Sequence, residues 1–258
     1  MKSPKFSIVI PSYNKARYIS KTLASIFRQN YENLEVVIQD GGSTDATVNI
    51  IKEFANKYPN IIKWESKVDK GQLEAVNKGL SKSTGEILTF INADDCYEDN
   101  VLNLVSNKAL DNPNALWFAG QGVVVNEKNQ QIAVLSTWYK NLLLNLNSNF
   151  LLLTVNYLMQ PSVFFTRSAY NKYGPFTGTN DFIMEYDFWL KIAKHQMPTI
   201  IPTVLTRFFM GTGTKTKEMF TDILEEDRKI ALAHTKNPVT ILLHDMNNLG
   251  RKIMNLFI

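Results

Sequence analysis

The sequence has little cysteine and histidine for a chain of its length. Its 258 residues include one cysteine, Cys96, and three scattered histidines, His195, His234 and His244. A single cysteine excludes an internal disulfide and every multi-cysteine zinc or iron–sulfur site, and three histidines leave little for a histidine-based metal centre. Any metal in this chain is therefore expected to be held by oxygen.

Long hydrophobic runs and a concentration of one charge are also missing. No stretch approaches the roughly 20 apolar residues of a membrane-spanning helix, and the first apolar run, residues 6–10, is too short for a signal-peptide core. The net charge of +4 comes from lysines and arginines spread along the chain, so the basic stripe of a nucleic-acid binder is absent. We therefore expect a reducing, cytoplasmic location, no nucleic-acid partner, and anionic small molecules as ligands.

The first hundred residues alternate short β-branched runs with helical patterns. The composition, 45% hydrophobic and 20% charged, is that of a globular protein with a sizeable core. The predicted strands cover residues 6–10, 34–38, 61–65 and 86–91. This alternation is typical of βαβ units, so we predict an α/β fold with a mostly parallel central sheet flanked by helices.

Beyond residue 100 the pattern loosens. We predict helices over 101–110, 186–193 and 217–233, strands near 116–125 and 162–166, and an extended run over 199–209. The Leu- and Asn-rich stretch 138–156 has no clear boundaries. The last segment, 238–258, is apolar with few charges, so it either docks on the domain or attaches peripherally to the inner face of a membrane.

Polar residues follow all four predicted N-terminal strands, where ligands bind in open α/β sheets. Three strand ends carry carboxylates, namely Asp40, Asp69 and the pair Asp94 and Asp95. Two adjacent carboxylates in a crevice repel unless a cation neutralises them, and oxygen ligands suit Mg²⁺ or Mn²⁺. The alternative is an N-cap for the helix at 101–110. The carboxylates at neighbouring strand ends favour the metal site.

Asp40 and the glycines after it admit two interpretations. Asp40 could accept from a base or ribose, yet Asp-Gly-Gly is also a plain turn signal. The segment contains neither the dinucleotide-binding glycine pattern nor a P-loop, which argues against a dehydrogenase and a kinase.

Glu185 and Asp187 lie two residues apart at the start of a predicted helix, beside Phe188 and Trp189. A carboxylate against aromatic surface has a raised pKa and could act as a general base. The alternative is a pair of helix-dipole acids beside core aromatic residues.

Taken in order, these segments resemble the inverting glycosyltransferases of family 2, with the GT-A (Rossmann-like) fold and of the bacterial polysaccharide-biosynthesis type. The matching segments are 7–14 (SIVIPSYN), 36–45 (VVIQDGGSTD), 69–72 (DKGQ), 77–79 (NKG), 92–95 (NADD), 160–162 (QPS) and 185–187 (EYD). The resemblance implies a GT-A domain over 1–215, with a nucleotide-binding half to about residue 100 and an acceptor half from 101. A helical extension would cover 216–258.

The resemblance also implies roles for single residues. Pro11, Tyr13, Asp40 and Asp69 would line the nucleotide pocket, and Asp94 and Asp95 would bind Mg²⁺ or Mn²⁺ and, through it, the diphosphate and ribose of the donor. Glu185 would be the catalytic base of a single inverting displacement. Asp187 and Trp189 would shape the acceptor side. The implied donor is a UDP-, GDP- or dTDP-sugar, and the acceptor a saccharide or lipid-linked saccharide.

One departure from the family pattern lies at Gly211, where relatives often have a histidine that helps to hold the diphosphate or metal. We therefore expect Lys215 to close over the diphosphate, with an ordinary loop as the alternative. Two other functions remain open. A non-catalytic nucleotide-sugar or glycan-binding relative would have lost its base or metal pair, and Glu185 is a substitution. A sugar-nucleotide pyrophosphorylase would carry a basic Gly-rich loop at 11–14, where this chain has PSYN.

Overall fold

The computed structural model describes residues 3–178, 183–211 and 218–255. Its N-terminal half alternates strands and helices as the sequence predicts. In chain order the elements are β1 (Phe6–Ser12), α1 (Ile19–Phe27), β2 (Leu34–Asp40), α2 (Thr47–Lys57), β3 (Ile62–Ser66), α3 (Gln72–Lys82), β4 (Ile87–Phe90), β5 (Cys96–Tyr97) and α4 (Val101–Asp111).

The C-terminal half is richer in helices. Its elements are β6 (Trp117–Val125), β7 (Gln131–Ile132), α5 (Val134–Leu146), α6 (Asn149–Thr154), a 3-10 turn (Gln160–Ser162), β8 (Val163–Thr166), α7 (Arg167–Tyr173), α8 (Met184–Ala193), β9 (Thr199–Phe209), α9 (Phe220–His234) and α10 (Pro238–Asn255). The stretch without clear boundaries in the sequence thus contributes most of α5 and all of α6.

The described strands form one nine-stranded sheet in the order β3-β2-β1-β4-β8-β6-β9-β5, with β7 beside β6. The first four strands are parallel, as expected for βαβ units. In the C-terminal half, β8 is antiparallel to both neighbours, and β9 pairs antiparallel with the short β5 of the N-terminal half. The predicted α/β sheet is confirmed, and its C-terminal half is mixed.

β1 and β2 run two residues further than their apolar runs indicate. Ser12 pairs with Asp40, and Asp40 pairs with Ser66, so polar residues extend the ladder where the strands meet. All residues of both strands are buried. The ends of three parallel strands are therefore level with one another at one edge of the sheet.

Helices cover both faces of the sheet and build two apolar layers. On one face α3 lies so close that a Cβ on its Gly79 would overlap the side chain of Val9 in β1. The same layer contains Trp117 and Trp189, whose rings stack at 5.7 Å. On the other face α1 and α2 meet through Phe27 and Tyr58. Among the described residues, no helix is both long and apolar enough to cross a bilayer.

Candidate active site

The turn after β2 is held by the carboxylate of Asp40. This buried side chain accepts hydrogen bonds from the backbone N of Gly42 at 3.1 Å and of Ser43 at 2.8 Å, and from Ser66 Oγ at 2.6 Å. The turn interpretation of Asp-Gly-Gly is therefore realised, and Gly42 has a φ of 82° that favours glycine. Asp40 Oδ1 accepts one bond, from Ser43 Oγ, so a carboxylate oxygen keeps capacity for a ligand.

Asp69 lies against the same turn. A Cβ on Gly41 would be 3.1 Å from both carboxylate oxygens of Asp69, which also accepts from the backbone N of Gly71 at 3.0 Å. Pro11 is buried beneath this edge, whereas Tyr13 is 60% exposed. The structure thus brings the carboxylates of Asp40 and Asp69 to one place and leaves an aromatic ring accessible in the loop after β1.

Asp94 is paired with a cation that the sequence analysis missed. Its Oδ2 accepts from Lys15 Nζ at 2.6 Å, and the backbone N of Lys15 donates to Thr47 Oγ1 at 2.8 Å. Lys15 directly follows the polar segment after β1, and that position at a strand end was the available signal. The ion pair joins the loop after β1 to the loop after β4.

Asp95 is more deeply buried and has a different role from its neighbour. Its Oδ1 accepts from the backbone N of Phe209 at 2.8 Å, and its Oδ2 from Asn92 Nδ2 at 3.2 Å. Asn92 in turn accepts from Gln72 Nε2 at 2.7 Å. Burial, followed by the charge of Asp94, raises the pKa of Asp95 well above its ordinary value. Asp95 therefore links three elements and does not face solvent as an open ligand beside Asp94.

The geometry distinguishes the metal-site and N-cap interpretations of this pair. The N-cap position of α4 is Asn100, and β5 separates it from Asp94 and Asp95, so the N-cap alternative is wrong. In the described part of the chain, no three His, Cys, Asp or Glu side chains are grouped to hold a metal. A small divalent cation still fits, because Mg²⁺ commonly takes one or two protein carboxylates and completes its shell with phosphate oxygen and water. Asp94 would hold it.

Glu185 lies in the first turn of α8 and is 8% exposed. Burial raises the pKa of its carboxyl to about 7, while the charge of Lys140 on α5 acts against that rise and the charge of Asp227 on α9 adds to it. Burial and the charge of Arg251 lower the pKa of Lys140 itself to about 8. A general base works best with a pKa near the working pH, and the raised pKa of Glu185 is compatible with that role.

Asp187 and Trp189 do not form an acceptor surface in this structure. Asp187 accepts from Lys191 Nζ at 2.6 Å, His234 Nε2 at 2.7 Å and Thr177 Oγ1 at 2.8 Å. Against the effect of burial, these bonds hold the pKa of Asp187 well below its ordinary value. Trp189 is 1% exposed and stacked on Trp117, so its ring face cannot receive a sugar. The core interpretation is correct for this tryptophan.

Gly211 is followed by residues outside the described part of the chain, which include Lys215. A Cβ on Gly211 would overlap Glu127 and lie 2.5 Å from the ring of Phe209. A histidine there would require both side chains to move, which accounts for glycine at this position. Phe209 also donates its backbone N–H to Asp95, so Gly211 is anchored close to the acidic pair.

A family model identifies the chain. The model described as Glycosyl transferase family 2 matches residues 7–174, so the chain belongs to this family. It is 27% identical over 220 residues to an uncharacterized glycosyltransferase of Rickettsia felis, covering 82% of this chain and 35% of that protein. It is 39% identical over 107 residues to a PGL/p-HBAD biosynthesis glycosyltransferase of Mycobacterium bovis, covering 41% and 42%. The chain spans less than half the length of these relatives.

Solved structures share the fold. The mannosyltransferase PcManGT from Pyrobaculum calidifontis, in complex with GDP-Man and Mn²⁺, superposes with a TM-score of 0.70 at 20% identity, covering 95% of this chain and 69% of that one. TarS 1-349 of S. aureus in complex with UDP-GlcNAc has a TM-score of 0.62 at 18% identity, covering 88% and 66%. These likenesses agree with the predicted GT-A fold.

Proposed function

We propose that this chain transfers a sugar from a nucleoside-diphosphate donor to an acceptor hydroxyl, with inversion at the anomeric carbon and with a divalent cation. The observation that carries the proposal is the convergence of Asp40, Asp69 and Asp94 at one edge of the parallel strands. The family supports a glycosyl transfer. Two structural neighbours carry GDP-Man with Mn²⁺ and UDP-GlcNAc, which supports a nucleotide-sugar donor.

The donor side uses the strand-end residues. Tyr13 and the free capacity of Asp40 would receive the base, and Asp69 would close the pocket beside them. Asp94 would hold Mg²⁺ or Mn²⁺, which when bound supplies charge neutralisation to the leaving diphosphate. Lys15 adds a positive charge at the same place. Once Asp94 has a cation, Lys15 would turn from Asp94 toward the phosphate oxygens.

Glu185 is the proposed base. Its carboxylate takes the proton of the acceptor hydroxyl while that oxygen forms a bond to the anomeric carbon. The bond from that carbon to the diphosphate oxygen breaks on the opposite face, and the electron pair leaves with the nucleoside diphosphate. One displacement of this kind inverts the configuration. The acceptor would be a saccharide or a lipid-linked saccharide.

Calorimetric titration tests the donor site. UDP, GDP and dTDP are titrated with Mn²⁺ and with EDTA into the wild type, Asp94→Asn and Asp99→Asn. Asp99 is an exposed aspartate paired with Arg28, so its variant is a control for charge loss. We expect one nucleotide to bind in Mn²⁺ only, and Asp94→Asn alone to abolish that binding. Folded wild type that binds no nucleotide under either condition would contradict the proposal.

The non-catalytic alternative makes a different prediction. A binding relative would retain metal-dependent nucleotide binding but would release no nucleoside diphosphate in the presence of acceptors. The substitution of the family's usual aspartate by Glu185 is the observation that keeps this alternative. Glu185→Gln separates the two, since an enzyme should release nucleoside diphosphate as the wild type and lose that release in the variant, whereas a binding protein should release none in either form.

A further inference from the structure

Helix α10 is turned with its apolar face outward. The outward face carries, at helical spacing, Val239, Leu242, Leu243, Met246, Leu249 and Ile253, all of them exposed. The buried side chains of the same helix are polar: Thr240, His244 and Asn248. A surface helix in water normally has the opposite arrangement. Docking on the domain, one of the two outcomes expected for this segment, is thus realised through the polar face.

Specific polar contacts fix this orientation. His244 Nδ1 donates to the carbonyl of Leu153 at 3.0 Å, and Asn248 Nδ2 donates to His244 Nε2 at 3.1 Å. Arg251 forms an ion pair with the buried Asp227 of α9 at 3.0 Å. Turning the apolar stripe inward would break all three contacts. The outward face therefore belongs to the folded state.

Helix α5 repeats the arrangement. Its outward face carries Val134, Leu135, Trp138, Tyr139, Leu142 and Leu146, with Leu135 77% and Trp138 63% exposed. Lys140 points inward, where its charge interacts with that of Arg251 on α10. Helix α10 packs against α6, which directly follows α5, and His244 of α10 bonds the carbonyl of Leu153 in α6. We call the two outward faces together the α5–α10 surface.

The exposed apolar side chains are concentrated on this surface. Of sixteen large apolar side chains exposed in the described residues, six lie on α5, six on α10 and one, Phe150, on the adjoining α6. Monomeric proteins rarely expose contiguous apolar patches larger than a few hundred Å². The α5–α10 surface therefore requires a covering in the working state of the protein.

Charge distinguishes between the candidate coverings. Helix α5 contains no Asp or Glu, and its one charged residue, Lys140, points inward. On α10, Asp245 is neutralised by Arg228 and Arg251 is paired with Asp227, and the exposed Lys236 and Lys252 lie just before and within the helix. Trp138 and Tyr139 are the residue types that favour the bilayer interface. An apolar stripe with aromatic residues and a positive surround fits anionic lipid headgroups better than a second positively charged copy.

We propose that the α5–α10 surface lies on the surface of an anionic phospholipid bilayer. The two helices lie in the plane of the interface, and their outward apolar side chains enter the boundary between headgroups and acyl chains. The sequence alone indicated this role only for residues 238–258. The structure adds α5 as an equal part of the surface.

Vesicle flotation tests the proposal. The full chain is mixed with vesicles of phosphatidylcholine alone or with phosphatidylglycerol, at low and high salt. The variants are Leu135→Ser/Trp138→Ser on α5 and Leu242→Ser/Met246→Ser on α10. Val68→Ser is the control, because Val68 is 81% exposed but lies away from both helices. Far-UV circular dichroism verifies that each variant is folded.

We expect the wild type and Val68→Ser to float with phosphatidylglycerol vesicles, less so at high salt. Each double variant should lower the partition coefficient at least about tenfold, because withdrawing two large apolar side chains from lipid costs more than about 1.4 kcal/mol. No flotation of the wild type would overturn the proposal, as would equal flotation of all variants. A dimer seen by light scattering that the same substitutions dissociate, without vesicle binding, would identify a second copy as the occupant.

Discussion

At the scale of single residues, Glu185 gains its acid–base character from its position. It begins a helix yet is buried, and burial raises the pKa of its carboxyl to about 7. A base acts only when it is ionised, so at pH 6 roughly a tenth of the molecules are competent. We therefore expect kcat/KM to rise with pH and to reach half of its plateau near pH 7, measured with the nucleotide sugar selected by titration.

Substitutions at the same place refine this prediction. Glu185→Gln should lower kcat about 10²–10⁴-fold, with nucleotide binding retained. Its stability at pH 8 should match or exceed that of the wild type, because folding raises the pKa of this acid from 4.5 to about 7, so the wild type loses stability between those pH values and the loss is complete at pH 8. Lys140→Met should move the acid limb to higher pH, whereas Lys140→Arg should leave it in place. An acid limb near pH 4.5 in the wild type would exclude Glu185 as the base.

At the scale of elements, two glycines differ in the space that surrounds them. Gly211 leaves no room for a Cβ beside Glu127 and Phe209, whereas a Cβ on Gly250 of α10 would have no neighbouring atom within 4 Å. Gly211→Ala should lower the free energy of unfolding by about 1–3 kcal/mol through overpacking. Gly250→Ala should not lower it, since alanine is the better helix former by about 0.8–1.0 kcal/mol. Denaturant unfolding measures both, and equal losses would contradict the packing argument.

Some of the secondary-structure elements could be predicted from the sequence, and some of their boundaries could not. β1 to β4 and their helices were predictable, because β-branched runs and helical spacing are local signals that tertiary packing here reinforces. The apolar runs predict strands that end at residues 10 and 38, whereas cross-strand pairing extends them through polar residues to Ser12 and Asp40. That pairing depends on neighbours distant in sequence.

In the candidate site, too, some features were predictable from the sequence and others were not. Residue types at strand ends predicted that Asp40, Asp69 and Asp94 would lie at the same edge of the sheet. They did not predict that Asp95 is bound by the backbone of Phe209, 114 residues away. The resemblance implies an acceptor-side role for Trp189, whose aromatic face suits a sugar ring, but that face is stacked on Trp117 in the core. The partner cation Lys15 could have been found from its position after β1, but its pairing with Asp94 depends on contacts between loops 79 residues apart.

At the scale of the whole molecule, the C-terminal helices are joined to the sheet domain through side chains of α8. The predicted boundary at residues 215 and 216 falls outside the described residues. After it, α9 buries Ile223, Leu224 and Ala231, and its His234 binds Asp187 of α8. Because Glu185 lies one helical turn or less from Asp187, the proposed extension helps to set the environment of the proposed base.

The polar docking of α10 has a thermodynamic consequence for the molecule. No apolar side chain among the described residues of α10 is fully buried, so undocking this helix would expose much less apolar surface than opening the sheet core. Exposure of polar surface lowers heat capacity, whereas exposure of the sheet core raises it strongly. We expect native-state hydrogen exchange to find α10 amides exchanging at lower opening free energy than those of β1. Equal opening free energies would mean that α10 unfolds only with the core.

Calorimetry should register only the main transition, because the heat-capacity change of undocking α10 is small beside that of the core. We thus expect α10, which carries half of the α5–α10 surface, to undock from the domain in water without a separate transition in calorimetry.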